Sequence, residues 1–172
     1  MIDLRLVYSD WPLYNRHLRD VIAVMTDAQL AERPSQDGWP IWATVAHTAG
    51  SRAYWVCGVA GEPGIERLPF PHIAEGIGWE DELGHARNAA ELAGALDATF
   101  ALIQHCLETW TPDMLADELQ REGSSGLQVH TRASVLQRLF SHDAYHCGEL
   151  SQTLGILGLP QVDLWPPEDH LV

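Results

Sequence analysis

The sequence predicts an all-α protein, a four-helix bundle with a long connection between its second and third long helices. Three observations support this class. Apolar residues recur at steps of three and four along four long blocks, which is the spacing of one helical face. Glycine and proline are concentrated between these blocks. No stretch shows the convincing apolar and polar alternation of a half-buried strand, so the blocks are expected to pack as a bundle.

Start and stop signals set the bounds of the four predicted helices. Pro12 and Pro40 suit the first turn of a helix, where the missing backbone N–H is not needed. Thr131 is a good N-cap, and Gly158 and Pro160 end the last helix. The helices are predicted over about residues 10–25, 40–59, 83–109 and 131–157.

The segments between the helices differ in character. Residues 61–82 hold four glycines and three prolines without clear periodicity, so we expect a long connection that returns the chain across the bundle. Residues 120–130 are polar and rich in Gly and Ser, which predicts a turn, open to a brief hairpin. Short helical turns are expected at residues 28–31 and 111–119, and the tail, 163–172, should lie extended over the surface.

Composition and charge exclude several classes of function. The chain carries 24 acidic and 10 basic residues, a net charge of −14, whereas nucleic acids and anionic membranes need clustered basic residues. The three cysteines form no disulfide framework. No apolar run reaches the ~18 residues of a membrane span, and the first residues do not resemble a signal peptide. We therefore expect a single cytoplasmic domain over residues 1–172.

The candidate chemistry lies in the nine histidines. His142 and His146 are one turn apart in the last predicted helix, roughly 40° around its axis, so they can bind one metal ion. The spacing alone is weak evidence, since roughly 0.5 such pairs arise by chance in this chain. The two histidines lie near the core on a helical stripe that they share with Leu139, Leu150 and Thr153. Buried imidazoles there need either a metal or hydrogen-bond partners.

His47 is the candidate third ligand. It lies in the middle of the second predicted helix among the small residues Ala43, Ala46, Ala49 and Gly50. Small neighbours let another helix approach closely. A core histidine taken alone is more often satisfied by hydrogen bonds than by a metal ion.

Three segments match the helices of a known family in order. The segment YNR, residues 14–16, opens an apolar helix. The segment GWPIWATVAHTAGSRAYW, residues 38–55, has a His followed by aromatic residues seven and eight positions later. The segment TRASVLQRLFSHDAYHCGEL, residues 131–150, contains a His-x-x-x-His-x-Gly-Glu pattern. Together they resemble the DinB/YfiT-like superfamily of small metal-binding four-helix bundles.

The resemblance implies a metal centre and partners. Its histidine triad corresponds to His47, His142 and His146, and its members tend to form homodimers. Zinc or nickel is the expected ion, since imidazole binds both.

Glu149 is the candidate catalytic residue. It stands where the family often has Gln, roughly 20° from His142 around the helix. It can act as a general base, as a fourth metal ligand, or as the hydrogen-bond acceptor of a ligand N–H. A simple surface carboxylate is the remaining alternative.

The resemblance also implies an enzyme acting on a small molecule. The superfamily includes transferases and isomerases that use low-molecular-weight thiols, so we expect a metal that activates a thiol for S-transfer. A hydrolase would use the same three ligands to activate water. The acidic balance does not favour an anionic thiol cofactor, and Arg52 and Arg138 are the candidates to bind its carboxylates.

Two non-enzymatic interpretations compete with this one. The protein can be a non-catalytic metal-binding or stress-associated dimeric bundle, since the fold does not dictate a reaction. It can also be a helical dimer without metal. A deep, partly apolar pocket at the histidines favours an enzyme, whereas a closed four-coordinate site favours a structural ion.

Overall fold

The computed structural model describes residues 3–123 and 126–170. Ser124 and Ser125 of the predicted polar turn, and residues 171–172 of the predicted tail, lie outside the described residues. The protein is mostly helical with a small two-stranded sheet. The helices are α1 (Leu4–Val7), α2 (Trp11–Ala23), α3 (Asp27–Leu30), α4 (Ile41–Ala53), α5 (Ala89–Thr109) and α6 (Arg132–Ile156). The strands are β1 (Glu118–Gly123) and β2 (Gly126–Thr131).

The four long helices pack around one hydrophobic core. Helix α5 contacts α2 and α4, and α6 contacts the same two helices. The apolar positions that predicted the helices are the buried ones, among them Leu18, Leu96, Ile103, Leu139 and Leu154. Burial of these stripes, rather than helix propensity alone, stabilises the helices. No helix within the described residues is long and apolar enough to cross a membrane.

The second predicted helix differs from the observed one in type at its end, and the third differs in its start. Helix α4 ends at Ala53 and continues as a π-helical turn, Tyr54–Val59. The third long helix was predicted from about residue 83 but begins at Ala89. Asn88 caps it, because the Asn88 side chain accepts from the Glu91 backbone while Glu91 accepts from the Asn88 backbone N–H. The capping residue thus decides where this helix begins.

The predicted all-α class is incomplete, because β1 and β2 form an antiparallel hairpin. Strand β1 begins at Glu118, where the predicted helical turn was to continue; the observed turn is shorter, Met114–Ala116. Both strands are largely polar, so they lack the apolar alternation that identifies a buried strand. The hairpin packs on the π-helical turn and leads directly into α6.

The long connection, residues 60–88, contains three short 3-10 turns: Ile65–Arg67, Ile73–Glu75 and Trp79–Asp81. Phe70, Ile73 and Trp79 are buried and anchor the connection to the core. Its last turn packs against α4. This contact carries an acidic residue of the connection to the middle of α4.

The tail is held against α2. Val162 and Leu164 are buried, and the indole N–H of Trp165 donates to the hydroxyl of Tyr14 over 2.8 Å. Asp169 bonds to both Arg16 and His17. The tail therefore packs as part of the fold rather than only lying over it.

Candidate metal centre

Helices α4 and α6 bring three histidines together. The Nε2 atom of His142 lies 3.1 Å from Nε2 of His47 and 3.2 Å from Nε2 of His146. One ligand atom from each ring lies within 4.8 Å of the other two. Two nitrogens bound tetrahedrally to one zinc ion lie about 3.3 Å apart, given zinc–nitrogen distances of 2.0–2.1 Å. The spacing of the three rings therefore fits a single ion.

The outer nitrogens of two rings are held by carboxylates. Nδ1 of His47 donates to Oε1 of Glu80 over 2.7 Å, and Nδ1 of His146 donates to Oε2 of Glu149 over 2.8 Å. Because an ionised carboxylate only accepts, the ring hydrogen lies on Nδ1 and the lone pair on Nε2. Both Nε2 lone pairs face the third histidine. This carboxylate–histidine arrangement is the one that orients metal ligands in proteins.

The third ring cannot satisfy both neighbours. A hydrogen on Nε2 of His142 can be donated to one of the two facing lone pairs, which leaves the other opposed. Nδ1 of His142 is also buried and has no hydrogen-bond partner among the described residues. A divalent cation would accept all three Nε2 lone pairs at once. The donor set therefore fits a divalent metal.

Burial keeps the two histidines of α6 in the form that binds metal. Burial, reinforced by the neighbouring His146 and His47, lowers the pKa of His142 to about 3. Burial also lowers the pKa of His146, against an opposing hydrogen bond from Glu149. Metal binding requires neutral imidazole. The two rings on α6 are accordingly neutral at pH 7 and do not need to lose a proton before binding an ion.

Glu80 is a site residue that the sequence analysis missed. It lies in the long connection, 33 residues from His47, and its side chain is only 10% exposed. Its Oε2 is buried without a hydrogen-bond partner among the described residues. A Cβ at Gly78 would lie 2.2 Å from this oxygen, so glycine leaves room for the carboxylate. One acidic residue among several in an irregular loop, followed directly by Asp81 and Glu82, carries no local signal of this role.

Glu149, the predicted catalytic residue, lies on the outer side of the histidines. Its contact with Nδ1 of His146 is the one expected of a hydrogen-bond acceptor. This is one of the four roles that the sequence left open for Glu149. Its side chain is 45% exposed, and it does not belong to the group of converging ligand atoms.

Arg52, predicted as a candidate for binding substrate carboxylates, is placed elsewhere. It is 1% exposed and forms an ion pair with Asp143 at 2.9 Å. Its remaining hydrogens go to Asn15 and to the carbonyl of Leu96, while the indole of Trp11 donates to Asp143. A fully paired, buried guanidinium cannot bind a substrate, so the prediction for Arg52 is wrong.

Two cavities open beside the histidines. The first has a volume of about 490 Å³. Its walls include His47, His142, Glu80, Trp55, Arg121 and Arg138. The second, of about 600 Å³, shares His142 and Arg138 with the first and also borders His130. The three-histidine cluster is therefore reached from solvent and is not sealed in the core.

The chain is similar to known proteins in sequence and in fold. The family model of the DinB superfamily matches residues 15–150, most of the chain. The protein therefore belongs to the DinB superfamily. No curated protein matches its sequence.

Two solved structures are similar over nearly the whole chain. One is a DinB-like protein from Bacillus cereus ATCC 10987, with a TM-score of 0.63 and 16% identity over 90% of this chain and 92% of that chain. The other is a conserved protein from Enterococcus faecalis, with a TM-score of 0.69 and 18% identity over 92% of this chain and 99% of that chain. At such identities the likeness shows the fold alone.

Proposed function

We propose that this protein is an enzyme in which His47, His142 and His146 hold a divalent metal ion, zinc or nickel, beside a substrate cavity. One observation carries the proposal: His47 and His142 form part of the wall of an open cavity of about 490 Å³. A structural ion is normally closed off by four protein ligands, whereas a catalytic ion keeps an open position. Within the described residues, the ligand group consists of three histidines.

When bound, such an ion would lower the pKa of a coordinated thiol or water. The chain's own residues have separate roles in this proposal. Glu80 and Glu149 accept the Nδ1 hydrogens of His47 and His146 and so orient the two rings. Glu80 also borders the cavity with a free oxygen. It is therefore better placed than Glu149 to take the proton that an incoming thiol or water loses.

Transfer of a low-molecular-weight thiol to an electrophile is the first candidate reaction. The cavity has the volume of a small-molecule site, 300–1,000 Å³ in general, and can hold more than a water molecule. Metal-dependent hydrolysis is the second candidate, since it needs the same ligands and the same proton acceptor. The superfamily resemblance favours the thiol.

The four long helices α2, α4, α5 and α6, in this proposal, form a four-helix bundle, which acts as a homodimer. Helices α5 and α6 each pack against both α2 and α4, which supports the bundle. The superfamily resemblance supports the homodimer. Light scattering on the purified protein tests the dimer. A mass of one chain would overturn it.

Metal analysis is the first experiment. Protein purified without a His tag should contain about one zinc or nickel ion per chain, and His142→Ala and His146→Ala should lose it. His105→Ala is the matched control, because His105 is exposed and remote from the cluster. Absence of stoichiometric metal in the wild type, or its retention in both cluster variants, would overturn the metal centre.

Activity is tested separately. Conjugation of an electrophile is measured with several cellular thiols, on metal-loaded and on chelator-treated protein. We expect turnover only with metal. Bound metal with no turnover of any thiol or hydrolysable ester would instead support the non-catalytic, stress-associated alternative.

A further inference from the structure

Two arginines converge on one tryptophan at the wall of the 490 Å³ cavity. The guanidinium carbon of Arg121 lies 5.0 Å from the ring centroid of Trp55, and that of Arg138 lies 4.5 Å from it. The ring of His130 meets the same indole at 4.9 Å. Arg121 and His130 come from the hairpin, Arg138 from α6 and Trp55 from the π-helical turn. The fold thus brings positive charge from two elements, the hairpin and α6, to one indole.

Neither arginine is neutralised by the protein. The chain has 24 acidic and 10 basic residues, and seven of its arginines pair with a carboxylate. Arg121 and Arg138 have no carboxylate within ion-pair distance among the described residues. In so acidic a protein, two unpaired arginines in one cavity wall are unusual. They form a local positive patch in a chain of net charge −14.

Part of this patch also lacks hydrogen-bond acceptors. Nε of Arg121 and Nε2 of His130 are buried without a partner among the described residues. A buried polar atom without a partner costs free energy, so such atoms in native structures call for a ligand, a water or an ion. A guanidinium group matches the two oxygens of a carboxylate or phosphate in a forked pair of hydrogen bonds.

The acidic residues of the same cavity do not cancel this charge. Glu80 is engaged by His47. Glu75 and Glu122 are exposed, where water and salt screen them. Burial, followed by the charges of Arg138 and Arg121, lowers the pKa of His130. His130 is therefore neutral, and the positive charge belongs to the two arginines.

We propose that the substrate carries an oxyanion group, a carboxylate or a phosphate, which Arg121 and Arg138 bind beside Trp55. The reacting end of the substrate then lies toward His47 and His142, which border the same cavity. This orientation rests on the proposed function. Binding of the oxyanion itself does not, because it requires only the two arginines and the indole.

Calorimetric titration at low ionic strength tests the anion site. Chelator-treated protein is used, so that no metal ion can bind the anion in place of the arginines. Inorganic phosphate and succinate are the probes, and sodium chloride is the control for ionic strength. We expect saturable binding of one anion per chain. The probe that binds more tightly distinguishes a phosphate from a carboxylate substrate.

The variants assign the binding to named side chains. Arg121→Gln and Arg138→Gln should each raise the dissociation constant about tenfold, the loss expected for one charge-assisted hydrogen bond. Arg5→Gln is the matched control, because it removes one exposed arginine remote from the cavity. Arg138 is exposed, so its variant remains informative if Arg121→Gln fails to fold.

Two outcomes would overturn the proposal: no saturable binding of either anion by the wild type, or dissociation constants in folded Arg138→Gln equal to those of Arg5→Gln. His142→Ala separates this site from the metal centre. It should lose metal and keep anion binding. A wild-type protein that binds the anion but no metal would overturn the proposed function and leave the anion site supported.

Discussion

Two polar clusters lie between α4 and α6, and they differ in whether they are complete. In the first, Arg52 and Asp143 form a buried ion pair at 2.9 Å. In the second, Nε2 of His142 faces Nε2 of His47 at 3.1 Å and Nε2 of His146 at 3.2 Å, and the ring hydrogens cannot satisfy all three nitrogens. The first cluster is neutral and closed. The second is a set of converging ring nitrogens that hydrogen bonds among the three rings alone cannot satisfy.

The surroundings of the two clusters match this difference. Asn15, Trp11 and the carbonyl of Leu96 supply the remaining partners of the ion pair, so no polar atom there calls for a ligand. Around the histidines, the partners lie only on the outer nitrogens. The comparison teaches that burial of polar groups marks a functional site only when their hydrogen bonding is left unfinished. Substitutions in the ion-pair cluster should therefore change stability, and substitutions in the histidine cluster should change metal affinity.

Removal of one charge of the closed cluster should have the largest effect. Asp143→Ala leaves Arg52 buried without a counter-ion, and we expect the free energy of unfolding to fall by about 3–5 kcal/mol. Urea denaturation measures the change. Asp97→Ala, which removes the exposed partner of Arg19, should cost less than about 1 kcal/mol. Equal losses in the two variants would contradict the structural role of the closed cluster.

Loss of a histidine should act on the open cluster alone. Zinc at about 100 times its dissociation constant should raise the free energy of unfolding of the wild type by about 2.7 kcal/mol. His142→Ala should lose this increment, because two ligands no longer hold the ion. His105→Ala, an exposed histidine, should keep it. Thermal melts with and without zinc give the comparison, and a zinc-induced increase that persists in His142→Ala would rule out this ligand set.

Removal of the two carboxylates behind the histidines should lower metal affinity to different extents. Glu80→Ala should lower metal affinity about 10–100-fold, since an outer hydrogen bond fixes the ring and its lone pair. Glu149→Ala should fall at the lower end of this range, because its side chain is 45% exposed against 10% for Glu80. Competition with a chromogenic chelator measures both. A larger effect for Glu149 would reverse our assignment of the buried acceptor as the more important one.

Acid should destabilise the metal-free protein through His142. The pKa of His142 is about 3 in the folded protein against 6.5 in a model compound. The unfolded chain therefore takes up a proton as pH falls through 6.5, while the folded chain does so only near pH 3. Stability is complete above pH 6.5 and is lost progressively between 6.5 and 3, by about 1 kcal/mol from pH 7 to 5.5. Urea denaturation of His142→Gln over this range should show a shallower loss, and identical slopes would disprove the effect.

The smallest effect is expected at Gly78. A Cβ in Gly78→Ala would lie 2.2 Å from Oε2 of Glu80 and must displace this flexible carboxylate. We expect a loss of metal affinity below about tenfold, smaller than that of Glu80→Ala, with no change in fold. The backbone of Gly78 is extended, at φ −97° and ψ −178°, so alanine is compatible with it. Affinity equal to that of the wild type would show that the carboxylate can move without loss of its hydrogen bond.

Rules that relate neighbouring residues determined the helices and part of the histidine cluster. Periodicity and caps are properties of neighbouring residues, so the sequence by itself predicted four long helices, the N-cap at Thr131 and the end of α6 near Gly158. The pairing of His142 with His146 follows from the same rule, because residues four apart lie on one face of a helix. The family resemblance added His47 to this pair. The start of α5 was placed too early because the cap at Asn88 was not used. The hairpin was left only as an open alternative at residues 120–130, because its polar strands carry a weak periodic signal.

Tertiary structure alone decided what surrounds the histidines. His47 and His142 are 95 residues apart, and His47 and Glu80 are 33 apart, so no local rule relates them. Packing of the long connection against α4 carries Glu80 to His47, and packing of the hairpin on the π-helical turn carries Arg121 to Trp55. The same packing sealed Arg52 inside the core and left Arg138 at the cavity. Contacts between distant segments are set by which apolar surfaces fit together, and that choice is made only when the whole core is assembled.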